Sequence, residues 1–482
     1  MQRFGTRIRR RTSRWALLVA AGCSVACSEA AQRPGGRALV IGIDGMSPVL
    51  VERMLREGEL PHLAELAERG SWGRLRSLKP ILSPRIWTSM ATGKLPAEHG
   101  IEHFARIDAD GTPRLYSSLD RRVPAVWNIA SSAGFSVGVV NWLMTHPPER
   151  VRGVMISDHA APGALAGRLG LAAGVMKTPQ KKIEGASREA VFTHPAAWAE
   201  RFTALGTAAS PLTKVPNPFA APPPGKGRLL WERLANIAAR DEHVVRAALE
   251  IDAELRPDLL LVYVNGVDAV SHFFWPSVAL DGPDPPAHRQ PAAPLARQRA
   301  ALYATYRFAD ALVGVLLRGF GTQDLVLVVS DHGFENARPG DPSSGVHVTE
   351  QAIDGIVFAA GPGVPSGGQV RNMSVTDIAP TLLAWLGLAV GSDMSGRVAD
   401  FLPIETGRIR SWDDLPVEHV GREGVGSGRR DRRATEGAWL PRVAESPFCK
   451  NRDPKTQDAP SLNDPGRLVF HPTGEGNASL AV

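Results

Sequence analysis

Five unbroken apolar runs constrain the fold of this 482-residue chain more than any other feature. They are rich in β-branched residues and cover residues 38–43, 136–140, 259–264, 324–329 and 355–360. A strand that is apolar at every position must be covered on both faces, which is typical of a parallel sheet. Helical patterns lie between the runs, at 48–70, 229–255, 300–317 and 376–386. The alternation predicts an α/β sandwich with a mostly parallel central sheet and helices on both faces.

Polar side chains follow four of these runs within a few residues. They are Asp44, Asn141, Asp268 and Asp331, and His332 comes directly after Asp331. Open α/β sheets bind ligands at the carboxyl ends of their strands, so these side chains are expected to converge. Carboxylate oxygen and imidazole nitrogen are ligands that zinc accepts readily. The sequence therefore predicts a metalloenzyme.

Three further features are weak when each is taken alone. Ser83 precedes Pro84, and proline is favoured at the first helical position, so Ser83 is expected at a helix N-terminus that favours an anion. A serine there is more often only an N-cap. Asp268 and His272 are spaced as a pair on a helix surface. His347 lies in a short loop before the run 355–360, where a surface histidine is the ordinary interpretation.

The basic charge of the chain is concentrated at its N-terminus. The formal net charge is +6, and residues 1–22 contain six arginines and no acid, so the remainder carries no net charge and specific nucleic-acid binding is not expected. The arginines precede an apolar stretch at 15–26, which resembles a bacterial secretion signal over residues 1–30. A bilayer needs roughly 20 apolar residues, and no other run is predicted to span one. We expect export to the periplasm or cell envelope, with a lipid tether at Cys23 or Cys27 as an open alternative.

Cysteine usage and composition define the rest of the organisation. The three cysteines support neither a disulfide framework nor a thiolate zinc site, so a metal here must use Asp and His. One domain is predicted over 36–402. Pro/Ala-rich stretches near 206–226 and 281–296 are interpreted as surface insertions, and 403–482 as a largely irregular tail.

Several motifs occur in an order that matches a known family. They are Val-Ile-Gly-Ile-Asp44-Gly, Ser83-Pro-Arg-Ile-Trp-Thr-Ser-Met-Ala-Thr-Gly, Val-Asn141-Trp-Leu, Asn-Gly-Val-Asp268-Ala-Val-Ser-His272, Ser-Asp331-His332-Gly-Phe and Ser-Val-Thr-Asp377-Ile-Ala-Pro-Thr. Together they resemble the type I phosphodiesterase/nucleotide pyrophosphatase family of the alkaline phosphatase superfamily. The resemblance runs from about residue 38 to 400 and implies an alkaline-phosphatase-like sandwich.

The resemblance also implies a set of site residues. One divalent metal would be held by Asp44, Ser83, Asp331 and His332, and a second by Asp268, His272 and His347. Zinc is the expected metal, with manganese or another divalent ion as the alternative. Ser83 would be the nucleophile that forms a covalent phosphoserine while a phosphodiester or pyrophosphate bond of a small-molecule substrate is cleaved. The oligomeric state is left open.

Departures from the family pattern keep alternatives open. Nucleotide pyrophosphatases have a phosphate-binding Asn near the position of Glu102-His103-Phe104. Asn141 and Arg85 are candidates for substrate contact, against a structural role at a strand end and an outward-facing helix arginine. A sulfatase or phosphomonoesterase, a phosphoglycerate-mutase-like isomerase and a non-catalytic metal-containing envelope protein are the rival functions. In the sulfatase signature one residue separates the nucleophile from proline, whereas Pro84 follows Ser83 directly.

Overall fold

The structure is a computed structural model that describes residues 36–164, 191–206, 211–281, 292–337, 345–404 and 406–420. The predicted signal over 1–30, most of the insertion at 281–296 and the tail beyond residue 420 lie outside the described residues. The described residues belong to one compact unit.

The centre of the protein is a nine-stranded mixed sheet. The strands of the structure are β1 Ala38–Ile43, β2 Ser71–Arg76, β3 Ala105–Ile107, β4 Pro113–Leu115, β5 Val137–Val140, β6 Gly153–Ile156, β7 Thr193–His194, β8 Leu259–Val264, β9 Leu325–Val329, β10 Glu335–Asn336, β11 Gly345–Val346, β12 Asp354–Ala360, β13 Gly368–Ser374, β14 Val390–Gly391 and β15 Arg408–Ile409. The large sheet has the order β13-β2-β12-β9-β1-β8-β5-β6-β7. The α/β class and the mostly parallel sheet are confirmed.

The five apolar runs all form strands, with bounds within one residue of those predicted. Strands β9, β1, β8, β5 and β6 are parallel neighbours, as expected. The run at 355–360 differs, because β12 pairs antiparallel with both β9 and β2. An unbroken apolar run reports burial on both faces but not strand direction. Strands β2 and β13 were not predicted because they lie at one end of the sheet and expose part of their residues.

The helices are α1 Pro48–Arg56, α2 Pro61–Arg69, α3 Ser83–Thr92, α4 Pro96–His99, α5 Val126–Ser132, α6 Trp198–Leu205, α7 Arg228–Leu255, α8 Gly266–Phe274, α9 Ala292–Leu317 and α10 Ile378–Trp385. The helix predicted over 48–70 is two helices, because Gly58 takes a φ of 72° and Pro61 starts a new helix. Helix α9 begins eight residues before the predicted pattern at 300–317.

The two faces of the sheet bury separate apolar cores. In β1, Leu39, Ile41 and Ile43 pack on one face and Ala38 and Val40 on the other. Helices α1, α2, α7, α8 and α9 contribute to the first core, and α3, α5 and α10 to the second. Both faces are therefore covered by helices, as the unbroken apolar runs predicted.

Helix α9 corrects the expectation that no further run could span a membrane. Its stretch Leu295–Leu317 has a mean hydropathy of 1.3 and sufficient length. However, 67% of that stretch is buried inside the protein. Its apolarity is that of a core helix, which passes the same test of length and composition.

Parts of the predicted insertions and tail contact the domain. Phe219, in the first Pro/Ala-rich stretch, is buried against Trp231 with ring centroids 5.1 Å apart, so this stretch is not wholly at the surface. Residues 408–409 of the tail form β15 on β14. The Lys94 ammonium lies 2.8 Å from Asp413 and 2.6 Å from Asp393. The described start of the tail is thus fastened to the sheet-bearing unit.

Candidate metal centre

The predicted acidic residues lie at the carboxyl ends of the central strands. Asp44 follows β1 directly, and Asp331 and His332 follow β9. Helix α8 begins just after β8 and carries Asp268 and His272. Because β8, β1 and β9 are adjacent and parallel, their carboxyl ends meet at the same place.

Ser83 lies beside the residues of β1 and β9. It lies at the N-terminus of α3, as predicted, but it is itself the first helical residue and Pro84 is the second. Its Oγ lies 3.5 Å from Asp44 Oδ1 and 3.5 Å from His332 Nε2. The His332 Nε2 atom in turn lies 3.4 Å from Asp44 Oδ1 and 3.4 Å from Asp331 Oδ2. These four residues form a buried group at the N-terminus of α3.

The remaining predicted ligands adjoin this group. Asp268 Oδ1 lies 3.4 Å from His272 Nε2 and 3.9 Å from His332 Nε2. The ring of His347, which follows β11, stacks on the ring of His332 with centroids 3.9 Å apart. The structure therefore brings all seven residues of the predicted metal site together.

The division of these residues into two groups differs in one respect from the expected one. Ligand atoms of Asp44, Asp331 and His332 lie within 4.8 Å of one another, and so do those of Asp268, His332 and His347. His332 belongs to both sets, whereas the resemblance assigns it to the set of Asp44. His272 stands beside Asp268 and is oriented by a hydrogen bond between its Nδ1 and the Gly345 carbonyl, 3.0 Å apart.

Unpartnered buried atoms show that the cluster fits a cation. Asp268 Oδ1, Asp331 Oδ2 and His347 Nδ1 are buried and have no hydrogen-bond partner among the residues that the structure describes. Leaving a buried carboxylate oxygen unpaired costs free energy, and a bound cation removes that cost. Oxygen and imidazole donors without a thiolate suit zinc and manganese among other divalent ions.

The electrostatics of the cluster point the same way. Burial and the neighbouring Asp44 charge raise the pKa of Asp331 well above its usual value. Burial lowers the pKa of His332, but the carboxylates of Asp331 and Asp44 outweigh it and raise this pKa to about 10. Burial, with the charges of His332 and His272, lowers the pKa of His347. Positive charge therefore stabilises the crowded carboxylates of the cluster. A metal ion would compete with protons for these carboxylates.

Two aromatic residues that the sequence did not single out surround the cluster. Tyr263 on β8 donates a hydrogen bond from its hydroxyl to Asp44 Oδ2. Phe334 packs against three histidine rings, with centroids 5.0 Å from His272, 5.6 Å from His332 and 5.4 Å from His347. The only signal for Tyr263 is that it carries the one polar group in the run 259–264. Phe334 carries no signal beyond its place after the Asp-His pair.

Gly45 is needed where the chain leaves β1. Its φ is 66°, and a Cβ atom there would lie 2.7 Å from the Phe334 ring and 2.9 Å from the Asp268 backbone. The Gly45 N–H donates to Asp331 Oδ1 at 3.1 Å. A residue without a side chain lets the turn after Asp44 approach both other strand ends.

The two candidate substrate contacts take different places. Asn141 is buried, with a φ of 60°, and its Nδ2 donates to the Tyr263 carbonyl at 2.9 Å. This bond joins the ends of β5 and β8. The Arg85 side chain is only 13% exposed, and its guanidinium lies 3.5 Å from the Glu102 carboxylate. It is therefore not the outward-facing arginine that was the alternative.

Comparison with known proteins identifies the family of the chain. The family model described as type I phosphodiesterase / nucleotide pyrophosphatase matches residues 38–364, more than half of the chain. The chain belongs to this family of phosphoester hydrolases. None of the curated proteins matches the chain.

Solved structures with a similar chain come from several hydrolases. Phosphonoacetate hydrolase from Sinorhizobium meliloti 1021, in complex with phosphonoformate, is 20% identical with a TM-score of 0.38, covering 65% of this chain and 60% of that one. A putative sulfatase from Bacteroides thetaiotaomicron VPI-5482 is 15% identical with a TM-score of 0.47, covering 76% and 73%. The phosphonate monoester hydrolase SpPMH from Silicibacter pomeroyi is 18% identical with a TM-score of 0.44, covering 75% of each. The chain thus spans less than two thirds of the first of these proteins.

Proposed function

We propose that the protein is a metal-dependent phosphodiesterase or nucleotide-pyrophosphatase-type hydrolase in which Ser83 is the nucleophile. The observation that carries the proposal is the position of the Ser83 hydroxyl. It stands at the start of α3, 3.5 Å from both Asp44 and His332, inside a buried cluster of carboxylates and imidazoles. Family membership supports the reaction class.

Seven residues of this chain would hold two divalent metals, and zinc is the proposed ion. They are Asp44, Ser83, Asp331 and His332 for one ion, and Asp268, His272 and His347 for the other. Such ions, when bound, supply Lewis-acid stabilisation of negative charge on phosphoryl oxygens and on the serine oxygen. The donor set proposed here consists of carboxylates, imidazoles and a hydroxyl, and all three cysteines lie outside the described residues.

The N-terminus of α3 is the part of the chain that stabilises the reacting groups. The free N–H groups and the positive end of α3 favour an anionic Ser83 oxygen and a phosphoryl group next to it. Ser83 releases its hydroxyl proton to solvent, and its Oγ forms a bond to phosphorus while the bond from phosphorus to the leaving oxygen breaks. A water molecule then attacks the phosphorus of the phosphoserine. Its oxygen stays on the released phosphorylated product, and one of its protons restores the Ser83 hydroxyl. The leaving oxygen takes its proton from solvent.

The charges around Ser83 favour a substrate with one negative charge on the reacting phosphoryl group. Arg85 is in the first turn of α3, and the carboxylate of Glu102 offsets its charge. A phosphate monoester carries a second negative charge, which usually requires additional cationic donors. We therefore infer that small-molecule phosphodiesters or pyrophosphates are cleaved faster than monoesters, with no specific binding of nucleic acid.

Metal analysis coupled to a hydrolysis panel tests this function. The purified protein is expected to hold about two divalent ions per chain. It should cleave bis(4-nitrophenyl) phosphate with a higher kcat/KM than 4-nitrophenyl phosphate or 4-nitrophenyl sulfate. A preference for the sulfate would favour the sulfatase alternative, and a preference for the monoester would favour a phosphomonoesterase. A protein that holds metal but hydrolyses none of these esters would favour the non-catalytic binding protein.

We further propose that the protein acts outside the cytoplasm, in the periplasm or cell envelope. The arginine-rich start and apolar stretch of residues 1–30 support this. Cell fractionation and mass spectrometry of the N-terminus test it. An intact Met1 on a cytosolic protein would contradict export, and a diacylglyceryl group on Cys23 or Cys27 would establish a lipid tether.

A further inference from the structure

The two carboxylate oxygens of Asp44 have different partners. Oδ2 accepts a hydrogen bond from the hydroxyl of Tyr263, which is itself buried. Oδ1 lies 3.5 Å from Ser83 Oγ and 3.4 Å from His332 Nε2. An ionised carboxylate only accepts hydrogen bonds, and a phenol hydroxyl can donate one. The contact with Tyr263 therefore turns one specific oxygen of Asp44 toward the cluster.

The ring of Tyr263 is fixed by its neighbours on the sheet. The parallel pairing of β1 with β8 places Tyr263 beside Gly42, two residues before Asp44. Trp87 of helix α3 packs edge-on against the Tyr263 ring, with centroids 4.9 Å apart at an angle of 80°. Asn141 holds the Tyr263 backbone through the carbonyl. The direction of the phenol is thus set by the fold and not by Asp44.

We propose that Tyr263 is a positioning residue that makes Asp44 present a single oxygen, Oδ1, to a divalent metal, and thereby strengthens metal binding by Asp44, Asp331 and His332. Hydrogen bonds to a metal ligand fix its orientation, and their removal commonly weakens metal binding by about 10–100-fold. The inference rests on the proposed function only for its premise that this cluster holds metal. It does not depend on which ester is cleaved.

The substitution Tyr263→Phe tests this directly. It removes one oxygen atom and keeps the ring that packs against Trp87. Zn²⁺ affinity is measured by competition with a chelator of known affinity, and metal content by mass spectrometry after dialysis. We expect the affinity of one of the two Zn²⁺ ions to fall at least about tenfold. Hydrolysis of bis(4-nitrophenyl) phosphate should recover toward the wild-type rate when Zn²⁺ is saturating.

Tyr306→Phe is the matched control. Tyr306 is also fully buried, and its hydroxyl accepts a hydrogen bond from the Ser47 N–H at 3.1 Å; within the described part of the chain it makes no hydrogen bond to Asp44, Asp268 or Asp331. Loss of this hydroxyl should lower thermal stability and leave Zn²⁺ affinity unchanged. A general loosening of the core would instead weaken Zn²⁺ binding equally in both variants and would overturn the proposal.

The remaining outcomes also decide the matter. Unchanged Zn²⁺ affinity in Tyr263→Phe refutes the positioning role. So does a loss of turnover that persists at full metal content, because Tyr263 would then act on the substrate. A wild-type protein that binds Zn²⁺ but hydrolyses none of the esters refutes the proposed function, while the affinity comparison still tests Tyr263. A wild-type protein that binds no Zn²⁺ refutes both.

Discussion

Gly42→Ala should disturb the metal centre without touching any of its ligands. Gly42 lies in the middle of the sheet on β1, and a Cβ atom there would stand 2.5 Å from Trp87 Cζ3 and 2.7 Å from Trp87 Cη2. Carbon atoms pack best about 3.5–4.0 Å apart, so the indole would have to move by about 1 Å. Trp87 is completely buried between Trp142 and Tyr263, which leaves little room for that movement.

The size of the effect follows from this overpacking. Extra carbon in a well-packed core typically costs about 1–3 kcal/mol. With about 2 cal/mol/K of unfolding entropy per residue, this corresponds to a Tm decrease of only about 1–4 °C in a domain of this size. The displaced indole should also move the Tyr263 ring that it contacts. Zn²⁺ affinity is therefore expected to fall in Gly42→Ala as in Tyr263→Phe, although neither change removes a ligand.

The assay combines thermal unfolding with the Zn²⁺ competition measurement. Gly407→Ala is the matched control, because a Cβ atom there would meet only the Cβ of Ala389, at an ordinary 3.8 Å. It should leave both Tm and Zn²⁺ affinity near the wild-type values. A Gly42→Ala protein with wild-type Tm and Zn²⁺ affinity would refute the argument that Trp87 and Tyr263 are held by contact with β1.

Three other outcomes are expected. Ser83→Ala should keep the fold and most of the metal but lose several orders of magnitude in turnover, as measured on bis(4-nitrophenyl) phosphate; near-normal turnover would exclude a serine nucleophile. Asp331→Ala should lose metal and activity together, and full metal occupancy in this variant would contradict its assignment as a ligand. His99 has its pKa lowered to about 3, chiefly by burial, and its Nδ1 accepts the Ile101 N–H at 3.1 Å. Because the folded pKa is below the unfolded value near 6.5, His99 contributes stability above pH 6.5 that is lost as pH falls toward 3, at up to about 1.4 kcal/mol per pH unit. His99→Asn keeps an acceptor for that N–H, so denaturant unfolding should show a shallower acid dependence than wild type; an identical slope would argue against this role of His99.

The sequence by itself predicted the strands of the sheet core and the acidic residues that the structure brings together at the strand ends. Strands β1, β5, β8, β9 and β12 are apolar at nearly every position because both of their faces are buried, and that pattern is local. The acidic residues that follow these strands were visible for the same reason. Parallel strands place their carboxyl ends on the same side of the sheet, so the sequence predicted that Asp44, Asp268 and Asp331 lie on one side. Their close approach also required β8, β1 and β9 to be neighbours, which the tertiary structure decided.

Other features were decided only by tertiary structure. The apolar pattern of β12 could not reveal its antiparallel direction, because burial is the same for both directions. The surroundings of Asn141 and Arg85 depended on contacts with other segments, the Tyr263 carbonyl and the Glu102 carboxylate. The Tyr263 hydroxyl donates its hydrogen bond to Asp44, which lies 219 positions earlier in the chain. Periodicity reports which faces of an element are buried, whereas the partner of a polar atom is fixed only when distant elements pack against each other.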